Sequence, residues 1–228
     1  MRIAEIYKSV QGEGLLAGTD SVFVRTSGCN LRCWFCDTPF TSWSPEGHDL
    51  AVEGIVAQVT EWDTRHVVLT GGEPMLFAEL IPLADALRAA GRRITIETAG
   101  TLDLPVACDL MSISPKLGNS TPSRTAHAAW NRRHDATRHR PAVIRRLLAD
   151  YTYQMKFVID QPGDCREVAE YLREFPEIDV RRVMLMPQGT DPETLAAKQS
   201  WLRDQCRRLG WTYCPRHQIQ WFGLTRGT

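Results

Sequence analysis

Three cysteines stand close together in Gly28-Cys29-Asn30-Leu31-Arg32-Cys33-Trp34-Phe35-Cys36, with the spacing CxxxCxxC. Thiolates are soft ligands that suit zinc or iron–sulfur clusters. A structural zinc site asks for four ligands, usually as two paired half-sites, and the chain has no second CxxC. His48 could stand as a fourth ligand, but it is a lone histidine twelve residues beyond Cys36. Three thiolates on one short loop can instead hold three irons of a 4Fe–4S cluster and leave the fourth iron open. The Trp34-Phe35 pair is then placed to shield the cluster and to pack against a flat ligand. The other four cysteines, Cys108, Cys165, Cys206 and Cys214, are isolated. Cys165 and Cys206 fall within helical patterns and read as small core residues.

Further polar segments recur at the ends of apolar runs. Thr70-Gly71-Gly72-Glu73-Pro74 follows one run, and its glycines allow close approach of backbone to a ligand. Glu97-Thr98-Ala99-Gly100, Ser114-Pro115-Lys116 and Met186-Pro187-Gln188-Gly189 close three others. Such recurrence at one end of successive strands is the pattern of a barrel-mouth site, although loops are polar in any case. Upstream lies Ser9-Val10-Gln11-Gly12-Glu13-Gly14. Gln11 and Glu13 offer donors and acceptors to a heterocycle edge, and Arg25 can pair with a carboxylate in bidentate fashion.

Strands alternating with helices must carry these segments. β-type runs lie at Ser21 to Thr26, His66 to Thr70, Arg93 to Glu97, Leu110 to Ser114, Gln154 to Ile159 and Val183 to Met186. A short last strand is expected within Trp211 to Cys214. Helical periodicity covers Leu50 to Trp62 and Phe77 to Ala90, with Gly91 as C-cap. Asp164 and Glu167 form a capping-box pattern for a helix ending near Phe175, and Asp191-Pro192 opens another. Alternation of this kind implies parallel strands with helical crossovers. Six strands, at most seven, fall short of a closed eight-stranded barrel. The expected fold class is α/β, an incomplete (β/α)6-type parallel barrel, with a doubly wound sheet as the other form the periodicity allows.

Length and charge bound the remaining choices. At 228 residues the chain reads as one domain. Lys plus Arg and Asp plus Glu are 27 each, which argues against a surface built throughout for nucleic acid. There is no run of 18 apolar residues for a membrane span, and the N-terminus is too polar for a signal peptide. A reducing cytoplasmic setting is therefore expected. The neutral total conceals a division: residues 117–150 carry seven arginines against two aspartates, and the remainder is correspondingly acidic. That stretch reads as a basic, mostly helical insertion, either a solvated decoration or a flap over an anionic ligand or partner.

CxxxCxxC with an aromatic before its last cysteine resembles the signature of radical S-adenosylmethionine enzymes, and Gly71-Gly72-Glu73-Pro74 resembles that family's GGEP motif. Gln11-Gly12-Glu13-Gly14, Cys36-Asp37-Thr38, Ser114-Pro115-Lys116, Met155-Lys156-Phe157 and Met186-Pro187-Gln188 together resemble the 7-carboxy-7-deazaguanine synthase family. The resemblance implies a radical rearrangement of 6-carboxy-5,6,7,8-tetrahydropterin to 7-carboxy-7-deazaguanine with loss of ammonia, in the queuosine and 7-deazapurine pathway. It implies one 4Fe–4S cluster on Cys29, Cys33 and Cys36, S-adenosylmethionine, and Mg2+ at Thr38. It places S-adenosylmethionine against Phe35, Cys36, Asp37, Gly72, Ser114, Pro115, Lys116, Met186, Pro187, Gln188 and Gly189. It places the pterin against Val10, Gln11, Gly12, Glu13, Arg25 and Thr70. It also implies a homodimer and an electron donor such as flavodoxin.

The chain departs from the family pattern in two places. Arg216-His217-Gln218 resembles a histidine-containing motif that precedes the C-terminus in some members, but residues continue to Thr228, so Trp221 or Phe222 is the expected pocket wall instead. The basic stretch has no counterpart in the shortest members, and its position after Lys116 suggests a crossing near the nucleoside end of the pocket. Three other readings compete: a short activase that installs a glycyl radical on a partner protein, a zinc or iron–sulfur binding module, and a tRNA-binding subunit acting through the arginines.

Overall fold

Within each parallel strand, alternate side chains face opposite sides of the sheet. In Tyr153–Ile159, Gln154, Lys156 and Val158 share one side, while Met155, Phe157 and Ile159 share the other and enter the apolar core. The same phase puts Glu97 opposite Ile94 and Ile96, and Arg25 opposite Val22 and Val24. One face of the sheet is therefore apolar and covered by helices. The other carries polar groups into a cavity.

The computed structural model describes residues 1–228. Its strands are β1 (Arg2–Val10), β2 (Asp20–Thr26), β3 (His48–Asp49), β4 (His66–Gly71), β5 (Arg93–Thr98), β6 (Leu110–Ile113), β7 (Tyr153–Ile159), β8 (Val183–Pro187) and β9 (Thr212–Tyr213). Its helices are α1 (Pro39–Ser42), α2 (Val52–Thr60), α3 (Leu80–Ala89), α4 (Ala128–Thr137), α5 (Pro141–Asp150), α6 (Asp164–Glu174), α7 (Pro192–Leu209) and α8 (His217–Phe222). The strands form one open sheet in the order β3-β1-β2-β4-β5-β6-β7-β8-β9. From β2 to β9 every neighbouring pair is parallel. The expected partial barrel of six parallel strands plus a short seventh is present.

The edge beyond β2 was not expected. β1 pairs antiparallel with β2 and with the two-residue β3. Only Ser9 and Val10 of its nine residues belong to the Ser9–Gly14 motif, and residues 2–8 carry no strand signal because Arg2, Glu5 and Lys8 interrupt the apolar run. Two local expectations also change. Asp164 is the first residue of α6 rather than its cap; its carboxylate accepts from the Asp160 and Gln161 N–H groups and from Asn119 Nδ2. Glu167, the partner expected to complete the box, instead accepts from Gly118 N at 2.7 Å. Asp191 does cap α7, accepting from Thr194 N at 2.8 Å.

The core contains 34 buried apolar residues drawn from the sheet and from α2, α3, α5, α6 and α7. α5 contributes Ile144 and Leu147 to it as part of the crossover from β6 to β7. Half of the basic stretch is thus structural crossover, and its arginines are the outer side of an amphipathic helix. Cys165 and Cys206 lie in the core as expected.

Candidate active site

The loop from β2 to α1 carries the three cysteines. None is in a disulfide, and all three line a cavity of about 290 Å³ at the carboxyl ends of the strands. The Leu31 N–H donates to Cys29 Sγ at 3.4 Å, and Ser42 Oγ donates to Cys36 Sγ at 3.2 Å. Burial pushes the Cys29 and Cys33 thiols up to about 12 each, so metal loading there must displace their protons. Nowhere are three His, Cys, Asp or Glu side chains grouped for one metal ion. A cluster differs in that each thiolate binds its own iron, and three soft donors on one cavity wall fit that demand. His48 is exposed on the edge strand β3 and lies outside the cavity wall. Cys214 is buried near the far side, where its sulfur accepts from Gly14 N at 3.2 Å.

The end of β4 braces this loop. Gly71 has φ +140, and a Cβ on Gly72 would overlap the carbonyl oxygens of Gly28 and Thr41. The glycines here answer to the chain's own close packing, in addition to any ligand. Glu73 is fully buried and ties β4 to β5. Its carboxylate accepts from Thr98 Oγ1 at 2.9 Å, Ala99 N at 2.9 Å and Met75 N at 3.2 Å. Burial raises its proton affinity, against the lowering pull of these donors.

The cavity floor is a connected set of charges. Lys156 Nζ lies 2.8 Å from Glu13 Oε2 and 3.5 Å from Glu97 Oε1. Glu97 also accepts from Thr70 Oγ1 at 2.8 Å and Gln11 Nε2 at 3.4 Å. Arg216 pairs with Glu13 at 3.3 Å and with Asp37. Burial raises the Glu13 carboxyl, but Lys156 and Arg216 outweigh it and hold the group at about 2. On the neighbouring strands Arg25 Nε donates to Glu5 Oε1 and its Nη2 to Tyr7 Oη, each at 2.7 Å. One edge of the guanidinium is therefore occupied, and any bidentate carboxylate must use the other.

Of the residues expected to touch S-adenosylmethionine, Phe35, Cys36, Asp37, Gly72, Ser114, Lys116, Met186 and Gln188 line the cavity; Pro115, Pro187 and Gly189 do not. Lys116 Nζ folds back on Ser114, 2.7 Å from its carbonyl and 3.0 Å from its Oγ. The Gly189 carbonyl accepts from Arg216 Nη1. Thr38 lines the wall, as do Val10, Gln11, Gly12, Glu13, Arg25 and Thr70. Trp34, expected beside Phe35 at the cluster, points away from the cavity and is 52% exposed. Trp221 and Phe222 are exposed and do not line the wall either; residues 223–228 do. No residue of 117–150 lines the cavity, so the basic stretch is not a flap over it.

Sequence reasoning assigned no role to Glu5, Tyr7, Glu97, Lys156 or Arg216. The alternation of Gln154, Lys156 and Val158 with apolar neighbours was the available signal for Lys156. For Arg216 it was the polar Arg216-His217-Gln218 segment. Nothing local in the sequence marked Glu5 or Tyr7, since β1 itself was not recognised.

Comparison with known proteins agrees with this geometry. Residues 23–139 match the model of the radical SAM superfamily. A 7-carboxy-7-deazaguanine synthase of Rhodopirellula baltica is 47% identical over 99% of this chain and 88% of its own. One from Halobacterium salinarum is 44% identical over 96% of this chain and 90% of its own. The crystal structure of QueE from Escherichia coli shares the fold, with a TM-score of 0.71, 23% identity and coverage of 94% and 92% of the two chains. The three-cysteine loop and the charged floor facing it thus sit in a chain that belongs to the 7-carboxy-7-deazaguanine synthase family of the radical SAM superfamily.

Proposed function

We propose that the protein converts 6-carboxy-5,6,7,8-tetrahydropterin to 7-carboxy-7-deazaguanine and ammonia. The observation that carries this reading is that one cavity joins the Cys29, Cys33 and Cys36 loop to the buried Glu13, Glu97 and Lys156 set. Cys29, Cys33 and Cys36 would hold the cluster, which together with S-adenosylmethionine would supply radical hydrogen-abstraction chemistry at C6 of the pterin. The chain's own residues bind and orient. Gln11, Thr70 and Glu97 present fixed donors and acceptors to the heterocycle edge. Lys156 and Arg216 keep Glu13 ionised, so the floor stays an acceptor at neutral pH. Arg25, held by Glu5 and Tyr7, offers its free edge to the substrate carboxylate. Thr38, on the cavity wall, would offer its hydroxyl oxygen to Mg2+, a hard cation that takes oxygen ligands. Asp37, Phe35 and Gln188 are proposed contacts to S-adenosylmethionine.

Preorganised charges matter here because the radical must meet one hydrogen atom and no other. A substrate pinned at its carboxylate and at its amide edge has little freedom to present a different carbon. The test is anaerobic turnover with reconstituted protein, tetrahydropterin, S-adenosylmethionine, dithionite and varied Mg2+. Expected are equal amounts of ammonia and 7-carboxy-7-deazaguanine, with a rate that rises with Mg2+. Absence of both products from protein that carries the cluster would sink the synthase reading and reopen the glycyl-radical activase reading.

A further inference from the structure

The arginine-rich stretch contributes nothing to the cavity, yet α4 and the turn before it hold the cysteine loop from behind. Fully buried His134, on α4, accepts from the Arg32 backbone N–H at 3.0 Å through Nδ1. The Trp34 backbone N–H donates to Ser120 O at 3.2 Å. Neither His134 nor Ser120 lines the cavity, so both amides point away from the side on which the three thiols stand. The Leu31 N–H, by contrast, donates to Cys29 Sγ.

The protons of the imidazole are fixed by its neighbours. Leu117 O can only accept, so Ser120 Oγ, 2.7 Å away, donates to it. That hydroxyl is then the acceptor for His134 Nε2 at 2.9 Å, and Nε2 carries the proton. Nδ1 is left bare, and the Arg32 N–H, which can only donate, meets it. The chain runs in one direction, from Arg32 N–H through His134 and Ser120 to Leu117 O. A partner that orients a histidine from its second nitrogen is a familiar device around metal centres. Burial first, and Arg138 after it, push the His134 imidazole down to about 4. The neutral ring that the chain requires is therefore the form present at neutral pH.

We propose that His134, oriented by Ser120, is a positioning residue for the cluster: it keeps the Arg32 N–H turned away from the cluster sulfurs and so holds the reduction potential low. This rests on the cluster reading of the cysteine loop. Hydrogen bonds to cluster sulfurs favour the more negative, reduced form and raise the potential. An amide between Cys29 and Cys33 that loses its acceptor is costly to leave unpaired, and the sulfurs are the acceptors nearest to hand. A low potential is what a cluster needs if it is to give its electron up.

The test is a redox titration of the full chain with its cluster reconstituted, followed by electron paramagnetic resonance of the reduced form, with iron content measured alongside. His134→Leu fills the space and removes the acceptor. Its reduction equilibrium should shift about tenfold toward the reduced form, about 59 mV for one electron. His134→Asn offers Oδ1 in place of Nδ1 and should keep the potential of the unaltered protein. Ser120→Ala removes only the group that fixes the tautomer, and should move the potential in the same direction as His134→Leu by a smaller amount. An unchanged potential in fully loaded His134→Leu overturns the proposal. An equal shift in His134→Asn overturns it too, because packing alone would then be the cause. If His134→Leu folds or loads poorly, Ser120→Ala decides, and an unchanged potential there is equally fatal. The titration needs neither pterin nor product. A chain that makes no deazaguanine can still show the shift, and an active one can lack it, so this proposal and the synthase reading fail separately.

Discussion

At Glu13 burial and pairing oppose each other, and the outcome is measurable. Burial alone raises the carboxyl; Lys156 at 2.8 Å and Arg216 at 3.3 Å lower it to about 2, from an ordinary value of 4.5. Between about pH 5 and 2 the unfolded chain therefore holds more of this proton than the folded one, and stability falls as pH falls through that window. Glu13→Gln should flatten that part of the curve in urea unfolding at stepped pH. An unaltered slope would assign the acid sensitivity to other carboxylates. Lys156→Met is a harsher change, since it leaves Glu13 and Glu97 without the ammonium between them. A loss of about 3 kcal/mol in unfolding free energy is expected, together with weaker substrate binding. Gln11, Glu13, Arg25 and Thr70 were legible as motif residues. Glu97 was legible as part of a polar strand end and Lys156 as part of Met155-Lys156-Phe157, but neither segment says which side of the sheet its charge faces or what it meets there. Only strand phase and the neighbouring strands reveal that several such residues meet.

The elements were legible where periodicity was strong and illegible where chemistry imitated a local signal. β4, β5, β7 and β8 follow from β-branched and apolar runs, and α7 from its Asp191-Pro192 start. The Asp164-x-x-Glu167 pattern promised a cap, but tertiary partners claimed both carboxylates. The Gly71-Gly72-Glu73-Pro74 turn was read correctly as a strand end, and the structure adds why it tolerates no side chain. Gly72→Ala puts a methyl group against Gly28 O and Thr41 O, so the cysteine loop must shift. Reconstituted Gly72→Ala protein is expected to hold markedly less iron per chain by colorimetric assay. Gly54→Ala in α2 is the matched control. Nothing lies within 4 Å of its Cβ position, and a gain of about 0.5–1 kcal/mol is expected from helix propensity. Full iron loading in Gly72→Ala would show that the loop does not depend on this contact.

On the scale of the whole molecule, sequence-distant segments close on one another around the cavity. The Gly12 carbonyl accepts from His217 N at 3.1 Å, a Cβ on Gly12 would overlap Gln218, and Arg216 joins Glu13 to Asp37. Such closure is invisible to periodicity, which reports neighbours along the chain, and it explains why the tail was assigned the wrong wall residues. Residues 223–228 continue from this junction along the cavity edge. Arg226 lies 3.5 Å over the Phe40 ring and pairs with Glu46 at 2.9 Å. These residues add no side chain to the apolar core, and an exposed ion pair of this kind contributes little to stability. Wall and core are therefore separable here. A protein ending at Phe222 should unfold within about 0.5 kcal/mol of the full chain, while its pterin KM rises about tenfold, the equivalent of about 1.4 kcal/mol of lost binding. Dithionite-driven kinetics on the two proteins make the comparison. An unchanged KM would mean that the tail only borders the opening and that the floor alone holds the substrate. A fall in stability with no change in KM would make it a structural strap across Phe40 and Glu46.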